Sequence, residues 1–372
     1  RSPQKLKAYT RCTGEWLQHW SAQKPDHIFL AERDGDNGWI ELNYSEVRER
    51  IGKIAQSLLN LELPHRAPVV FLSDNNLDQA LITLAAFHVG IPVATLSSAY
   101  SLLAKDYPRI ENIFKILKPG AVYVSDGEAY QNVINSVKPD CPIFVGKNPE
   151  SLEGRVITTE ELLATDETEA VMEAYRKVSP DTHARYLLTS GSTGDPKCVV
   201  HTQRMLCSNQ QAIVQCWEFL DDIDIVVLDW LPWSHVFAAN HNFNIVLRAG
   251  GSRYLDDGRA TEKGIHRTIE NIKYVKPTLY FNVPRGYEML VGYLERDRDL
   301  ARALFGRLEM LFYAAASLPQ NVWNRMSAVA ATVRKKPLFF CTEWGSTETA
   351  PVLTNVHYPL EGPGNIGLPV PG

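Results

Sequence analysis

The absences in this sequence are its first information. None of its six cysteines, Cys12, Cys141, Cys198, Cys207, Cys216 and Cys341, stands in a CxxC pair, so the spacing supports neither a zinc site nor a disulfide framework. Cys198, Cys207 and Cys216 are evenly spaced, but in a helix over 203–217 the last two fall on roughly opposite faces. Buried thiols in a reducing cytosol are the expectation. Positive charge is not in excess: 38 Lys and Arg stand against 43 Asp and Glu, a formal net charge of −5. No basic field therefore points to nucleic acid or an anionic membrane, and any bound anion has to be captured by local groups. The most apolar stretch, ALITLAAFHVGIPVATL over 80–96, is broken by His88, Gly90 and Pro92. It is expected as a helix, a turn and a buried strand, not a membrane span. The polar start RSPQKLKAYTR has no signal-peptide pattern, so a cytoplasmic location is expected. Internal repeats, low-complexity tracts and nucleic-acid modules are missing too.

What is there alternates. With 372 residues the chain exceeds most single cores, so two or more lobes are expected. In NYSEVRERIGKIAQSLLNL, Val47, Ile51, Ile54, Leu58 and Leu59 share one helical face, and Asn43 with Glu46 forms a capping signal. Strands are expected at 68–73, 91–96, 121–126 and 141–146, with helices over 76–89 and 109–117 between them. Residues 147–183 are polar and acidic and read as loops and short helices between lobes. Beyond a helix at 203–217, strands are expected at 225–232, 279–284, 308–316 and 337–345. Ser317 and Pro319 suit a helix start, and Val322, Met326, Val329 and Val333 form its buried stripe. Short Val- and Ile-rich runs separated by helices mark a mostly parallel sheet covered on both faces.

One segment, YLLTSGSTGDPK (186–197), carries chemistry on its face. Gly191 and Gly194 let successive backbone N–H groups turn toward one point, a geometry that binds phosphate oxygens. The hydroxyls of Thr189, Ser190, Ser192 and Thr193 add donors, and Lys197 adds a charge. Hydrogen bonds to a charged acceptor contribute about 1.5–3 kcal/mol each, so a few could hold a polyphosphate. Spacing excludes two rivals. A Walker loop needs GxxxxGK[ST], whereas here Gly194 lies three before the lysine and Pro196 intervenes. A nucleophile elbow needs GxSxG, and GSTG is one residue short.

Taken whole, TSGSTGDPK resembles the phosphate-binding signature of the adenylate-forming superfamily: acyl- and aryl-CoA synthetases, luciferases and peptide-synthetase adenylation domains. WGSTET (344–349) resembles the second nucleotide motif of that superfamily, LPWSHVF (231–237) its histidine-bearing acid segment, and GNIGLPVPG the stretch closing its large N-terminal domain. The resemblance implies an α/β fold of stacked, mostly parallel sheets flanked by helices, with a smaller β subdomain. That AMP-binding domain would cover 1–372, with lobes at roughly 66–205 and 206–345.

The resemblance also implies roles. Thr189, Ser190, Ser192, Thr193 and Lys197, shaped by Gly191 and Gly194, would hold the β- and γ-phosphates of ATP. Thr347 would hold the α-phosphate and Glu348 would coordinate Mg²⁺, a cation that prefers carboxylate oxygens and keeps phosphates as co-ligands. Trp344, followed by Gly345, takes the position that stacks on adenine, and Ala314, Ala315 and Ala316 the strand end along which adenine lies. His235 would line the carboxylate end of the acid pocket. Taken singly, His235 reads as a packed histidine, Glu348 as a solvated carboxylate and Trp344 as a core aromatic. Cys198 stands where glycine is commoner, a change expected to affect packing.

Longer matches over 73–102, 201–210 and 231–259 look most like feruloyl-CoA synthetases, which activate hydroxycinnamates. His235, Val236, Phe237, Asn240, Asn282, Val283 and Ala314 would then line an acid pocket whose apolar walls and few amides suit a hydroxylated ring. The alternatives are a medium-chain fatty acid as substrate, or a non-catalytic nucleotide-binding remnant or split domain. The expected partners are a small carboxylic acid, ATP and coenzyme A, with a homodimer left open. The ribose-gripping Asp of a Thr-Gly-Asp motif, the adenylation lysine and the mobile C-terminal domain have no counterpart here and are expected after Gly372. The chain is therefore expected to be the isolated large domain, with poor turnover on its own.

Overall fold

The computed structural model describes residues 2–104, 106–190 and 196–372. Two seven-stranded sheets organise it. The first runs in the order Val156–Thr158, Ile143–Lys147, Ala121–Asp126, Val69–Phe71, Val93–Thr95, His183–Ser190 and Pro196–Thr202. Its strands are parallel except the last, which pairs antiparallel with His183–Ser190. The second runs Phe340–Cys341, Met310–Tyr313, Leu279–Asn282, Val226–Asp229, Ser252–Leu255, Ile28–Arg33 and Trp39–Asn43, again with one antiparallel edge strand. A small antiparallel sheet of Glu343–Gly345, Val352–Asn355 and Leu368–Pro369 completes the strands.

Strand alternation decides the layers. Val69 and Phe71 join a core shared by both sheets, while Val70 and Leu72 face a separate outer cluster. In the second sheet Leu279, Phe281, Met310 and Phe312 turn to the shared core, and Tyr280, Leu311 and Tyr313 to another outer cluster. Side chains of successive strand residues point to opposite faces, so strands apolar throughout require cover on both. Helices Tyr44–Asn60, Leu77–His88, Gln203–Cys216 and Phe243–Ala249 fill the space between the sheets. Helices Pro108–Leu117 and Gly127–Val137 cover the outside of the first sheet, and Ile265–Val275, Pro284–Leu294, Arg298–Phe305 and Gln320–Ala331 that of the second. The Asn43–Glu46 capping box forms, with both hydrogen bonds at 2.8 Å, and such a cap contributes about 1 kcal/mol.

Four expectations need correction. Residues 147–183 do not run between lobes. They lie between two strands of the first sheet and supply its edge strand Val156–Thr158, and Arg48 of the helix Tyr44–Asn60 ties them down through Glu167 at 2.9 Å. The second sheet takes its strands from 226–341 but also from 28–43, ahead of the first sheet in the chain. The run 337–345 is two strands in two sheets, Phe340–Cys341 and Glu343–Gly345. The helix after Pro319 ends at Ala331, so Val333 of the expected stripe is only partly buried. All six cysteines are free, with Cys12, Cys207 and Cys341 buried, and Cys198 sits opposite Leu188 in the antiparallel pair, packed on the outer cluster. Among the described residues no helix is long and apolar enough to cross a membrane.

His88 ends the helix Leu77–His88 with its ring stacked on Tyr175 at 4.5 Å, and neither ring nitrogen has a hydrogen-bond partner. Burial, reinforced by the charges of Arg48 and Arg11, lowers its pKa from 6.5 to about 3. The unfolded chain therefore binds this proton at higher pH than the folded one. Stability present above pH 6.5 is lost as the pH falls toward 3. His88→Phe keeps the stacked ring and removes the unpaired nitrogens. We expect its melting temperature to fall less than that of the wild type between neutral pH and about pH 4; parallel curves would remove His88 as a source of acid lability.

Candidate functional site

A cavity of about 620 Å³ opens at the C-terminal ends of the second sheet's strands, the edge where parallel α/β sheets place ligands. One wall is Phe312 to Ser317, where the strand Met310–Tyr313 ends, and the facing walls are Thr342 to Thr347 and His235 to Phe237. Residues 364–366 close a further side. Ala315 has φ +71°, a left-handed conformation that costs a non-glycine residue about 1–2 kcal/mol. It breaks the strand there and leaves the exposed Ala315 and Ala316 on the wall without bulk.

The facing wall is built by a sharp turn. Glu343–Gly345 pairs with Val352–Asn355, and Thr347–Thr349 forms a single helical turn between them. Ser346 caps that turn, its own N–H reaching the Pro351 carbonyl at 3.1 Å. Gly345 is required: a Cβ there would lie 1.7 Å from the Pro351 carbonyl oxygen. Trp344 is 53% exposed, a large indole left uncovered on the cavity wall and free to stack on a planar group. Glu348 is exposed beside it. Its pKa lies below the usual carboxylate range, held first by its own backbone N–H, then by the Ser346 hydroxyl, with smaller help from His201 and Lys197. Lys197 is exposed in the strand Pro196–Thr202, in register with half-buried Thr189. The expected cradle residues Gly191, Ser192, Thr193 and Gly194, and the side chain of Ser190, lie outside the described residues.

The segment that follows the phosphate-loop sequence holds this turn from behind. His201 is fully buried, and its Nε2 lies 2.7 Å from the Thr347 carbonyl oxygen. Its Nδ1 lies 2.9 Å from the amide Nδ2 of Asn240. Burial brings its pKa down to about 4, against a smaller upward pull from the Thr347 carbonyl. In the helix Gln203–Cys216 that follows, Asn209 donates to the carbonyls of Thr349 at 3.3 Å and Val352 at 3.1 Å. Gln210 donates to the carbonyl of Asn240 at 3.1 Å.

On a third wall His235 is exposed at the cavity, with Val236 and Phe237 half-buried beside it. A π-helical turn, Phe237–Asn242, follows, a wide-turn geometry found mostly at functional sites. Asn240, Asn282 and Val283, expected in the pocket lining, are not among the cavity's walls. Asn240 is spent on His201, as above. Asn282 accepts from the backbone N–H of Val283 at 2.9 Å, packed where Gly286 leaves room for it, and Val283 lies against the shared core. Asn240, Asn242 and Asn244 are all buried, as is every residue from Ala238 to Leu247, because this segment is enclosed on all sides. Glu343 lines the cavity in their place. Its carboxylate accepts from Asn355 at 2.6 Å and touches buried His241 Nε2 at 2.8 Å.

A divalent cation would find one described ligand here. Among the described residues no three His, Cys, Asp or Glu side chains converge into a metal cage. A single exposed, ionised carboxylate at Glu348 suits Mg²⁺, which binds through one or two carboxylates and takes substrate phosphates and water for the rest. His201, Asn209, Gln210, His241 and Glu343 carried no readable sequence signal: each acquires its role from a partner remote in the chain.

The sequence pattern of the family described as AMP-binding enzyme matches residues 17–372. The chain is 23% identical over 327 residues to a long-chain-fatty-acid–CoA ligase, heimdall, of Drosophila melanogaster, covering 83% of this chain and 46% of that one. Its fold matches the adenylation domain of a keto acid-selecting NRPS module bound to keto acyl adenylate, with a TM-score of 0.78 at 16% identity over 99% of this chain and 69% of the other. A benzoate CoA ligase of Burkholderia xenovorans LB400 matches with a TM-score of 0.76 at 17% identity, over 98% of this chain and 66% of its own. The chain spans less than half the length of the curated relatives it matches. With a match that runs from residue 17 to the final glycine, the chain belongs to the AMP-binding enzyme family.

Proposed function

We propose that this chain is the nucleotide- and acid-binding part of an enzyme that activates a carboxylic acid with ATP and passes it to coenzyme A. The observation that carries the reading is one cavity walled by Trp344, Ala314–Ala316, Thr347 and His235, with Glu348 next to Thr347 in the chain and within electrostatic reach of Lys197. The acid's carboxylate oxygen attacks the α-phosphorus of ATP and pyrophosphate leaves. The coenzyme A sulfur then attacks the acyl carbon, AMP leaves and the thiol proton goes to solvent. In the first step this chain's work is positioning and charge neutralisation. Trp344 stacks on the adenine, Thr347 donates to the α-phosphate, and Lys197 with Thr189 and the 190–194 segment holds the departing phosphates. Mg²⁺ at Glu348 would offset the charge on those phosphates.

For the acid we propose an apolar carboxylate, first a hydroxycinnamate such as ferulate and second a medium-chain fatty acid. The apolar strand-end wall and Phe237 support an apolar body. The amides invoked to read ring hydroxyls face elsewhere, so Glu343 is the side chain through which a ring hydroxyl would be recognised. A nucleotide-binding chain without turnover is the second reading.

The test is acid-dependent pyrophosphate exchange with ferulate, coumarate, benzoate and octanoate, on this chain and on any longer product of the same gene. Exchange with one or more acids is expected; Mg·ATP binding with no exchange for any of them would favour the second reading. Glu348→Gln should lower Mg²⁺-dependent exchange at least about 100-fold at an unchanged melting temperature, and a wild-type rate would remove it as the metal ligand. His235→Ala should change the acid KM or rate more than the ATP KM. Unchanged acid kinetics would make it a packing residue.

A further inference from the structure

One imidazole touches three segments that the proposed reaction needs in register. His201 stands near the end of the strand Pro196–Thr202, which returns from the phosphate-loop sequence. Its Nε2 faces the Thr347 carbonyl at 2.7 Å, and its Nδ1 faces Asn240 in the π-helical turn that follows His235 and Phe237. A carbonyl oxygen can only accept, so Nε2 carries a hydrogen. A neutral ring then leaves Nδ1 with a lone pair, which takes the Asn240 N–H at 2.9 Å. Turning the Asn240 amide over would oppose its oxygen to that lone pair unless the ring took a second proton. A second proton is resisted by full burial and by the guanidinium of Arg185, the residue in register on the adjacent strand. The exposed carboxylate of Glu348 is the one charge acting the other way. The ring is thus fixed in one tautomer and one orientation.

We propose that His201 is a positioning residue for acid activation: by donating to the Thr347 carbonyl it fixes the turn that aims Thr347 and Glu348, while Asn240 locks its tautomer from the acid side. The inference rests on the function proposed above. A histidine that merely filled space would be replaceable by any side chain of similar volume. A positioning histidine needs the donor at Nε2, and glutamine presents an amide N–H at nearly that point, whereas leucine offers volume alone.

The experiment compares His201→Leu, His201→Gln and Asn240→Ala with the wild type by pyrophosphate exchange, Mg·ATP dissociation constant and melting temperature. H201L should lose about 100-fold in kcat, the scale of a misplaced reacting group, with its acid KM within about twofold of wild type. H201Q should recover at least about tenfold of that loss, and N240A should lose about tenfold, as partners that orient a reacting group do. Equal rates for H201L and H201Q at equal melting temperatures would overturn the proposal, as would a wild-type rate for H201L. If H201L does not fold, N240A and H201Q carry the test, and wild-type kinetics for N240A would overturn it. If the wild type activates no acid, the proposed function fails first. Nucleotide binding then decides: weaker Mg·ATP binding by H201L but not H201Q supports the tether, and equal constants for all variants overturn it.

Discussion

The carboxylate of Asp229 is the fixed point on which the acid side of the cavity hangs. It ends the strand Val226–Asp229 and is wholly buried, as is Arg253 on the neighbouring strand, 2.9 Å away. The guanidinium carbon of Arg253 lies 5.6 and 5.5 Å from the ring centres of Trp233 and Phe243, two rings that meet edge to face. The same carboxylate accepts from the backbone N–H of Leu231 at 2.7 Å and from the amide of Asn242 at 2.8 Å. Removing one member of such a pair costs about 3–5 kcal/mol, because the other charge stays buried and alone. Residues 230–236, which carry His235, are therefore pinned at their start by Leu231, and the π-helical turn after them is pinned at its end by Asn242. Because the Asn242 amide donates to Asp229, its oxygen is left for His241 Nδ1 at 2.8 Å. His241 then faces Glu343 on the cavity wall, so one buried charge reaches the cavity through three side chains.

Much of the fold was legible because the signals behind it are local. Val69 to Leu72 alternate between two cores, the Asn43–Glu46 box closes within three residues, and a helix begins directly after Pro319. What was not legible is what a strand pairs with. The strands at 28–33 and 39–43 were not among those expected, and nothing in the first names Ser252–Leu255 as its neighbour. The run 337–345 looks continuous because no turn residue interrupts it before Gly345. Yet Thr342 is where the chain leaves one sheet for another, and only the pairing of Glu343 with Asn355 reveals it.

The same distinction divides the site. Trp344, Gly345, Thr347 and Glu348 stand together in the sequence, and the structure keeps them together in one short turn. Asn240 and Asn282 were misread because an amide in an apolar stretch looks the same whether it faces a ligand or satisfies a neighbour. Here each satisfies a neighbour: His201 in one case, the Val283 backbone in the other. His201 itself lies 146 residues from the carbonyl it serves. No spacing rule spans that distance, because the contact is created by the stacking of sheets and not by any periodicity.

The arrangement also answers the difficulty posed by net charge. A chain at −5 has no field to draw in a polyphosphate, so the proposed grip would have to come from aimed dipoles with few full charges. Lys197 and Glu348, which act on one another, are both exposed, where ions and solvent can reach them. Behind them the scaffold is built from neutral donors: the imidazole of His201 and the amides of Asn209 and Gln210, all buried. A charged tether at His201 would stand beside the buried guanidinium of Arg185, with little solvent to screen the pair. It would also give up the lone pair that Asn240 needs. Neutrality at this position thus follows from the same burial that makes the tether rigid, and a turn held by neutral groups leaves Lys197 and Glu348 as the exposed charges beside it.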